Sequence, residues 1–188
     1  DESIPLKHGV IGQETQGPGG FFMALRSIHV MQSIIKEMEK ICPKAILFNY
    51  TNPINLVSEA VTHHTDIPIY SLCEGPILFP PQVAEAAGLE PKKISATLIG
   101  LNHASWSVEH HYEDGDLMAL VQEAYERKRN DPEVDIHTKR LLHVTAMMKS
   151  IPPAEYFQYY FFKDDILAEL KQKPTTRSQD IMALVPDY

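Results

Sequence analysis

The stretch AILFNYTNPINLVSEAVTHHTDIPIYSLC, residues 45–73, decides the fold. It opens on a short apolar run, AILFNY (45–50), which reads as a buried strand. NPINLVSEAVTHH then reads as a helix, with Pro53 at an early position where its missing N–H costs nothing. IPIYSLC (67–73) is a second buried strand. Continuous apolar strands separated by amphipathic helices mean a parallel sheet covered on both faces.

The same alternation extends outward in both directions. Upstream, residues 1–20 are rich in Gly and polar residues, and GQETQGPGG (12–20) reads as a loop. Phe21, Leu25, Ile28, Ile35 and Met38 then recur at helical steps until Cys42-Pro43 ends the helix. Downstream, PQVAEAAGL (81–89) is a short helix closed by Gly88. KISATLIGLNHASWSVEHHY (93–112) is a third strand region, broken at Asn102-His103, and is expected in the same parallel sheet. Asp114-Gly115 marks a turn, and the chain is mostly helical from Asp116 onward.

Composition bounds the function. The 188 residues suit one domain, or one and part of a second. At 44% hydrophobic the chain can bury a core, and it has no apolar run of about 18 residues that would suggest a membrane span. A net charge of −8 argues against nucleic acid and anionic membranes as main partners. Two cysteines make no disulfide framework, so a cytoplasmic setting is expected. There is no initial Met, no signal peptide and no Gly-x-Gly-x-x-Gly fingerprint after a strand.

In parallel α/β sheets, ligands bind outside the carboxyl ends of the strands. Asn52, Cys73 with Glu74, and Asn102 with His103 each follow a predicted strand, so they are expected at one sheet edge. Cys73 and His103 are chemically suited to share a divalent transition metal, although their spacing of 30 residues matches no contiguous metal motif. The plainer readings are a buried thiol and a structural histidine. Glu74 is either a general acid or base or a loop carboxylate capping the next helix. Asn52 is either a ligand contact or an Asx-turn or N-cap residue. Glu14 lies in the Gly-rich loop and is either solvated or functional. Tyr156, Tyr159 and Tyr160 in PPAEYFQYYFF (152–162) form a stripe typical of a core or an interface. A tyrosine acts as a base only where a cation brings its pKa well below about 10. The adjacent pairs His63-His64 and His110-His111 are expected on the surface.

GVIGQETQGPGGFFMALRSI, NYTNPINLVSEA, SLCEGP, GLNHASW and PPAEYFQYYFF occur in an order that resembles glycoside hydrolase family 4. These are NAD- and manganese-dependent glycosidases, many acting on 6-phosphoglycosides. The resemblance runs to about residue 165. It implies an α/β fold: part of a Rossmann-like, lactate/malate dehydrogenase-like parallel sheet over residues 1–104. The start of a mainly helical α+β substrate domain would follow over 105–188. Family members are more than twice this long, so the resemblance also implies a central piece that is inactive by itself.

By motif, the resemblance makes Cys73 and His103 the protein ligands of Mn²⁺ and Tyr156 the catalytic base. Asn52, Glu14 and Asn102 become substrate contacts or members of the polar network around the substrate. The implied reaction is NAD-dependent oxidation at C3 of the sugar, C2 proton abstraction, elimination and water addition. Family members form dimers or tetramers. Cys-Glu at 73–74 departs from the commoner patterns, which are Cys-Asp in 6-phospho-α-glucosidases, Cys-Asn in 6-phospho-β-glucosidases, and Cys-His in α-galactosidases and uronidases. A Glu still reaches a leaving group, so Glu74 is taken as the acid. The nearest rival is a lactate/malate-type dehydrogenase, which shares the TNP element and a catalytic His but needs neither metal nor Cys73. An α-galactosidase or uronidase acting on unphosphorylated sugars, and a non-catalytic sensing module, stand behind it.

Overall fold

The computed structural model describes residues 1–101, 103–153 and 155–185. The chain divides into two compact units, one of residues 1–73 with 162 onward, the other of residues 74–161. The first unit carries α1 (Ser3–Lys7), α2 (Gly17–Ile41), β1 (Leu47–Asn49), α3 (Ile54–His64) and β2 (Ile69–Ser71). The second carries α4 (Gly75–Ala87), β3 (Ile94–Leu101), β4 (Ala104–Tyr112), β5 (Gly115–Asp116), α5 (Leu117–Lys128), α6 (Ile136–Met148) and α7 (Phe157–Phe161). The chain then returns to the first unit with α8 (Lys163–Gln172) and α9 (Arg177–Leu184).

In the first unit, β1 and β2 pair in parallel, Leu47 opposite Ile69 and Asn49 opposite Ser71, with α3 as the crossover. Parallel neighbours need such a crossover because no short turn can reverse the chain twice. Ile35 of α2, Val61 of α3 and Ile67 form the core beneath the pair, with Met31, Met38, Leu47 and Ile69 packed against it. Each fully buried side chain of this kind is worth about 1.5–3 kcal/mol relative to exposure. The loop expected over residues 12–20 ends at Gln16, because α2 already begins at Gly17 with Pro18 in its first turn, and α1 before it is a helix of only five residues.

The loop that follows α1 is tight. The Gln13 side-chain oxygen accepts from the backbone N–H of Thr15 at 2.7 Å and of Gln16 at 2.6 Å, curling residues 13–16 against the first turn of α2. A Cβ on Gly20 would stand 2.5 Å from the Thr15 carbonyl carbon.

The third strand departs from expectation. β3 pairs antiparallel with β4, and β4 with β5, in a sheet separate from β1 and β2. The reason is legible in its pattern: Ile94, Ala96 and Leu98 are half-buried while Ser95, Thr97 and Ile99 are exposed. That period of two marks an antiparallel strand with one solvated face, whereas parallel strands are apolar throughout. Leu101 pairs with Ala104, so β3 and β4 form a tight hairpin whose connection holds His103. The Asp114-Gly115 signal also gives a turn, joining β4 to β5.

α4 begins at Gly75, six residues earlier than Pro81, and holds Pro80 and Pro81 inside it. It ends on Gly88 at φ 80°, with Gly88 N–H bonded to the Glu85 carbonyl and Leu89 N–H to the Ala84 carbonyl. This is the left-handed cap that Gly makes without steric cost. Asp116 caps α5 by accepting from Met118 N–H at 2.8 Å. Leu117, Val121, Leu141, Leu142, Val144 and Phe157 are buried at the centre of the unit. No helix among the described residues is long and apolar enough to cross a membrane.

His110 is half-buried, against the surface position expected for it. Its Nδ1 lies 3.0 Å from the Ser107 hydroxyl, which also accepts from Ile151 N–H at 2.7 Å. The Ser150 hydroxyl donates to the Ser107 carbonyl at 2.7 Å. These bonds tie β4 to the segment after α6. Burial pushes the His110 imidazole below its ordinary range; Asp116 pulls it back up less strongly, and His111 adds to the lowering.

Two expectations follow from these contacts. The unfolded chain protonates His110 near pH 6.5 while the folded chain resists it, so its contribution is full above about pH 6.5 and lost as pH falls. Between about pH 7.5 and pH 5.5 the urea midpoint should fall more in the parent than in His110→Asn, and equal falls would remove His110 as the cause. Separately, Gly20→Ala should cost roughly 1–3 kcal/mol by overpacking, read from urea unfolding, and an unchanged midpoint would show that the loop can shift aside.

Candidate active site

The carboxyl edge of the parallel pair is pinned by a residue that pattern reading passes over. Asn49, 2% exposed at the end of β1, donates to the Ser71 hydroxyl at 3.1 Å. Its side-chain oxygen accepts from Thr51 N–H at 2.9 Å. The Ser58 hydroxyl of α3 pairs with the Ser71 hydroxyl as well. The only sequence signal is a polar residue closing an apolar strand.

Beyond this edge come Asn52 after β1 and Cys73 after β2, on the side where ligands bind in open α/β sheets. Asn52 is neither an Asx-turn residue nor a cap. Asn49 makes the turn bond to Thr51, Pro53 is the N-cap of α3, and no side chain caps that helix. The Asn52 side-chain oxygen is buried and has no hydrogen-bond partner in the structure. A buried acceptor without a donor costs about 1–3 kcal/mol, a cost that a ligand hydroxyl or amide would remove. Cys73 is half-buried.

Glu14 is not merely solvated. The Arg177 guanidinium of α9 donates to its carboxylate across 163 residues of sequence. Next to it, Ser178 N–H donates to the Glu2 carboxylate at 2.8 Å. No local pattern signals either contact.

In the second unit the structure brings together two residues singled out from sequence. His103 sits in the β3–β4 hairpin loop at φ 60°, a left-handed backbone that histidine tolerates better than most side chains. Its ring stacks on Tyr156, with centroids 4.3 Å apart and planes at 26°. Tyr156 is 8% exposed. Tyr159 lies next to it, centroid to centroid 5.5 Å, while Tyr160 is exposed. Glu74 is the N-cap of α4 and is exposed, and its side chain makes no cap hydrogen bond. Asn102 lies outside the described residues.

Cys73 closes the first unit and His103 lies in the second, whose strands form a separate sheet, so the single sheet edge expected for both is not what carries them. Among the described residues no three His, Cys, Asp or Glu side chains gather into an all-protein cage. A thiolate and an imidazole are each donors of the kind that a divalent transition metal takes.

Comparison with known proteins identifies the family. The model of family 4 glycosyl hydrolases matches residues 1–89, and that of the family 4 C-terminal domain matches residues 98–186. Maltose-6'-phosphate glucosidase MalH of Clostridium acetobutylicum is 36% identical over 97% of this chain and 44% of its own length. A probable 6-phospho-beta-glucosidase of Bacillus subtilis is 34% identical over 95% of this chain and 42% of its own. A 6-phospho-alpha-glucosidase from gut microorganisms, solved with NAD and Mn²⁺, superposes with a TM-score of 0.78 at 25% identity, covering 97% of this chain and 44% of that one. The 6-phospho-beta glucosidase of Thermotoga maritima, solved with manganese, NAD⁺ and glucose-6-phosphate, gives 0.73 at 26% identity, over 100% and 43%. The chain thus spans less than half the length of these relatives. Both halves match their own family model in order, and the fold agrees throughout, so the chain belongs to glycoside hydrolase family 4.

Proposed function

We propose that the whole protein is an NAD- and Mn²⁺-dependent glycosidase acting on 6-phosphorylated glucosides. The observation that carries this reading is the stack of His103 on Tyr156, which sets the expected metal ligand flat against the expected base. Relatives that bind NAD, manganese and glucose-6-phosphate support the choice of cofactors and substrate class.

When bound, NAD⁺ supplies a hydride acceptor for C3 of the sugar and Mn²⁺ a Lewis acid beside it. Cys73 and His103 would hold the metal. Tyr156 takes the proton from C2 as a phenolate, a form that a cation nearby favours. The Asn52 side-chain oxygen accepts from a sugar hydroxyl, which supplies the donor it lacks. Glu14 and Arg177 fix the polar wall near the α2 loop through their ion pair. Glu74 delivers a proton to the departing glycosidic oxygen.

The test is hydrolysis by the whole protein of p-nitrophenyl glycosides with and without a 6-phosphate, in the presence of NAD⁺, Mn²⁺ and a reductant. Cleavage of phosphorylated glucosides that needs both cofactors is expected. Reduction of NAD⁺ by a hydroxy acid with no glycoside cleaved would hand the chain to the dehydrogenase reading. Glu74→Gln should lower kcat about a hundredfold for poor leaving groups and far less for activated aryl glycosides. An equal loss on both would remove the acid role.

A further inference from the structure

We propose that Tyr159 is the positioning residue that holds the Tyr156 ring against His103, and that its ring, not its hydroxyl, does so. The inference rests on the reading of Tyr156 as the base.

Tyr156 lies immediately before α7, and Tyr159 stands one turn further on. Tyr159 N–H donates to the Tyr156 carbonyl at 3.0 Å, which closes that turn and sets the two side chains on neighbouring positions of one face. The segment cannot rotate freely. Phe157 is 1% exposed and meets Phe79 edge-on with centroids 6.2 Å apart, so it anchors α7 in the core of its unit. With Phe157 inward and Tyr160 outward, the rings of Tyr156 and Tyr159 are directed along the helix flank.

A second wall is needed because one flat contact does not fix a ring sideways. His103 lies in the β3–β4 hairpin, between the exposed Leu101 and Ala104. A phenol lying flat on an imidazole can slide in the plane of contact, because stacked rings tolerate a range of offsets. Tyr159 meets Tyr156 at 5.5 Å with planes at 34°, within the tilted geometry that aromatic pairs favour. Its ring is half-buried, with Tyr156 against it. A base displaced by a fraction of an ångström from the proton it takes loses much of its rate, which is how a residue that touches no substrate would govern turnover.

The experiment combines a kinetic and a spectroscopic readout on the whole protein. Tyr159→Leu should lower kcat about tenfold or more with KM nearly unchanged, and raise the isotope effect of C2-deuterated substrate as proton abstraction becomes slow. Tyr159→Phe should restore both. In the NMR spectrum, the His103 ring protons, shifted by the current of the Tyr156 ring, should move towards solvent-exposed values in Tyr159→Leu and stay in place in Tyr159→Phe. Tyr159→Met, which keeps volume without a ring, should match Leu and serves if the Leu variant does not fold. Unmoved His103 signals in the ringless variants would overturn the proposal, and so would a Phe variant as slow as Leu, which would assign the effect to the hydroxyl. Wild-type turnover by Tyr156→Phe would instead sink the base assignment, and with it the kinetic half of the proposal. The His103 signals would still decide whether Tyr159 holds the ring.

Discussion

Two strands that run in the same direction and lie side by side need a crossover between them, and the first unit is arranged around that requirement. The crossover here is α3, whose buried Val57 and Val61 close over the sheet, so the loop into it and the loop out of β2 emerge at the same carboxyl edge. Asn52 and Cys73 share that edge because the pairing register leaves them nowhere else to go. The strands have only three residues each, too few for backbone pairing alone to fix them. Asn49 makes up the difference, exchanging bonds with Thr51 and Ser71 where the chain turns away. A polar side chain buried in that position is stable only with its bonds made, so the same interaction that holds the strands also fixes where the loop bearing Asn52 begins.

The second unit solves a different problem, that of presenting a histidine at a point where its neighbours cannot smother it. The β3–β4 hairpin does this, at the cost of a left-handed backbone at His103. Such strain persists only where the surroundings over-determine it, and it concentrates at functional positions. The antiparallel ladder from Ile94–Tyr112 to Leu101–Ala104 supplies the determination on one side. The stack on Tyr156 supplies it on the other. Tyr156 in turn depends on Phe157, which roots the segment in the core.

How much of this is written locally in the sequence can be judged residue by residue. The strand–helix–strand of residues 45–73 is plain, because apolar runs and a helical repeat alternate there with a Pro at the join. The third strand is legible as a strand but its partner is not. Ile94, Ala96 and Leu98 alternate with Ser95 and Thr97, a period of two that outweighs the tendency to extend a sheet already begun. The start of α4 is hidden because two prolines inside it look like a loop, although the first turn forms before they are reached. The candidate site is legible as a set of residue types after strand ends, and as a family resemblance, but not as contacts. Arg177 meets Glu14 across 163 positions, and no local periodicity encodes a pair that distant. The stack of His103 on Tyr156 is likewise a product of packing, since both lie in stretches whose local pattern predicts only a turn and an aromatic stripe.

Glu74 shows how backbone chemistry decides whether a carboxylate caps a helix. It occupies the N-cap of α4, where an acidic residue ordinarily accepts from the second or third helical N–H. Here the second helical residue is Pro76, which has no N–H to give. Ile77 and Leu78 both direct their N–H groups to the Glu74 backbone carbonyl, at 2.9 Å each. The side chain therefore makes no cap bond and stays exposed, tied to the helix only through its own backbone. A capping carboxylate would have to break its bonds before it could serve a substrate, whereas this one has none of that kind to break. The peptide bond that joins it to Cys73 also marks the division between the two compact units, so the carboxylate begins one unit as the thiol ends the other. The extra methylene that Glu has over Asp meets no cap geometry that it would spoil.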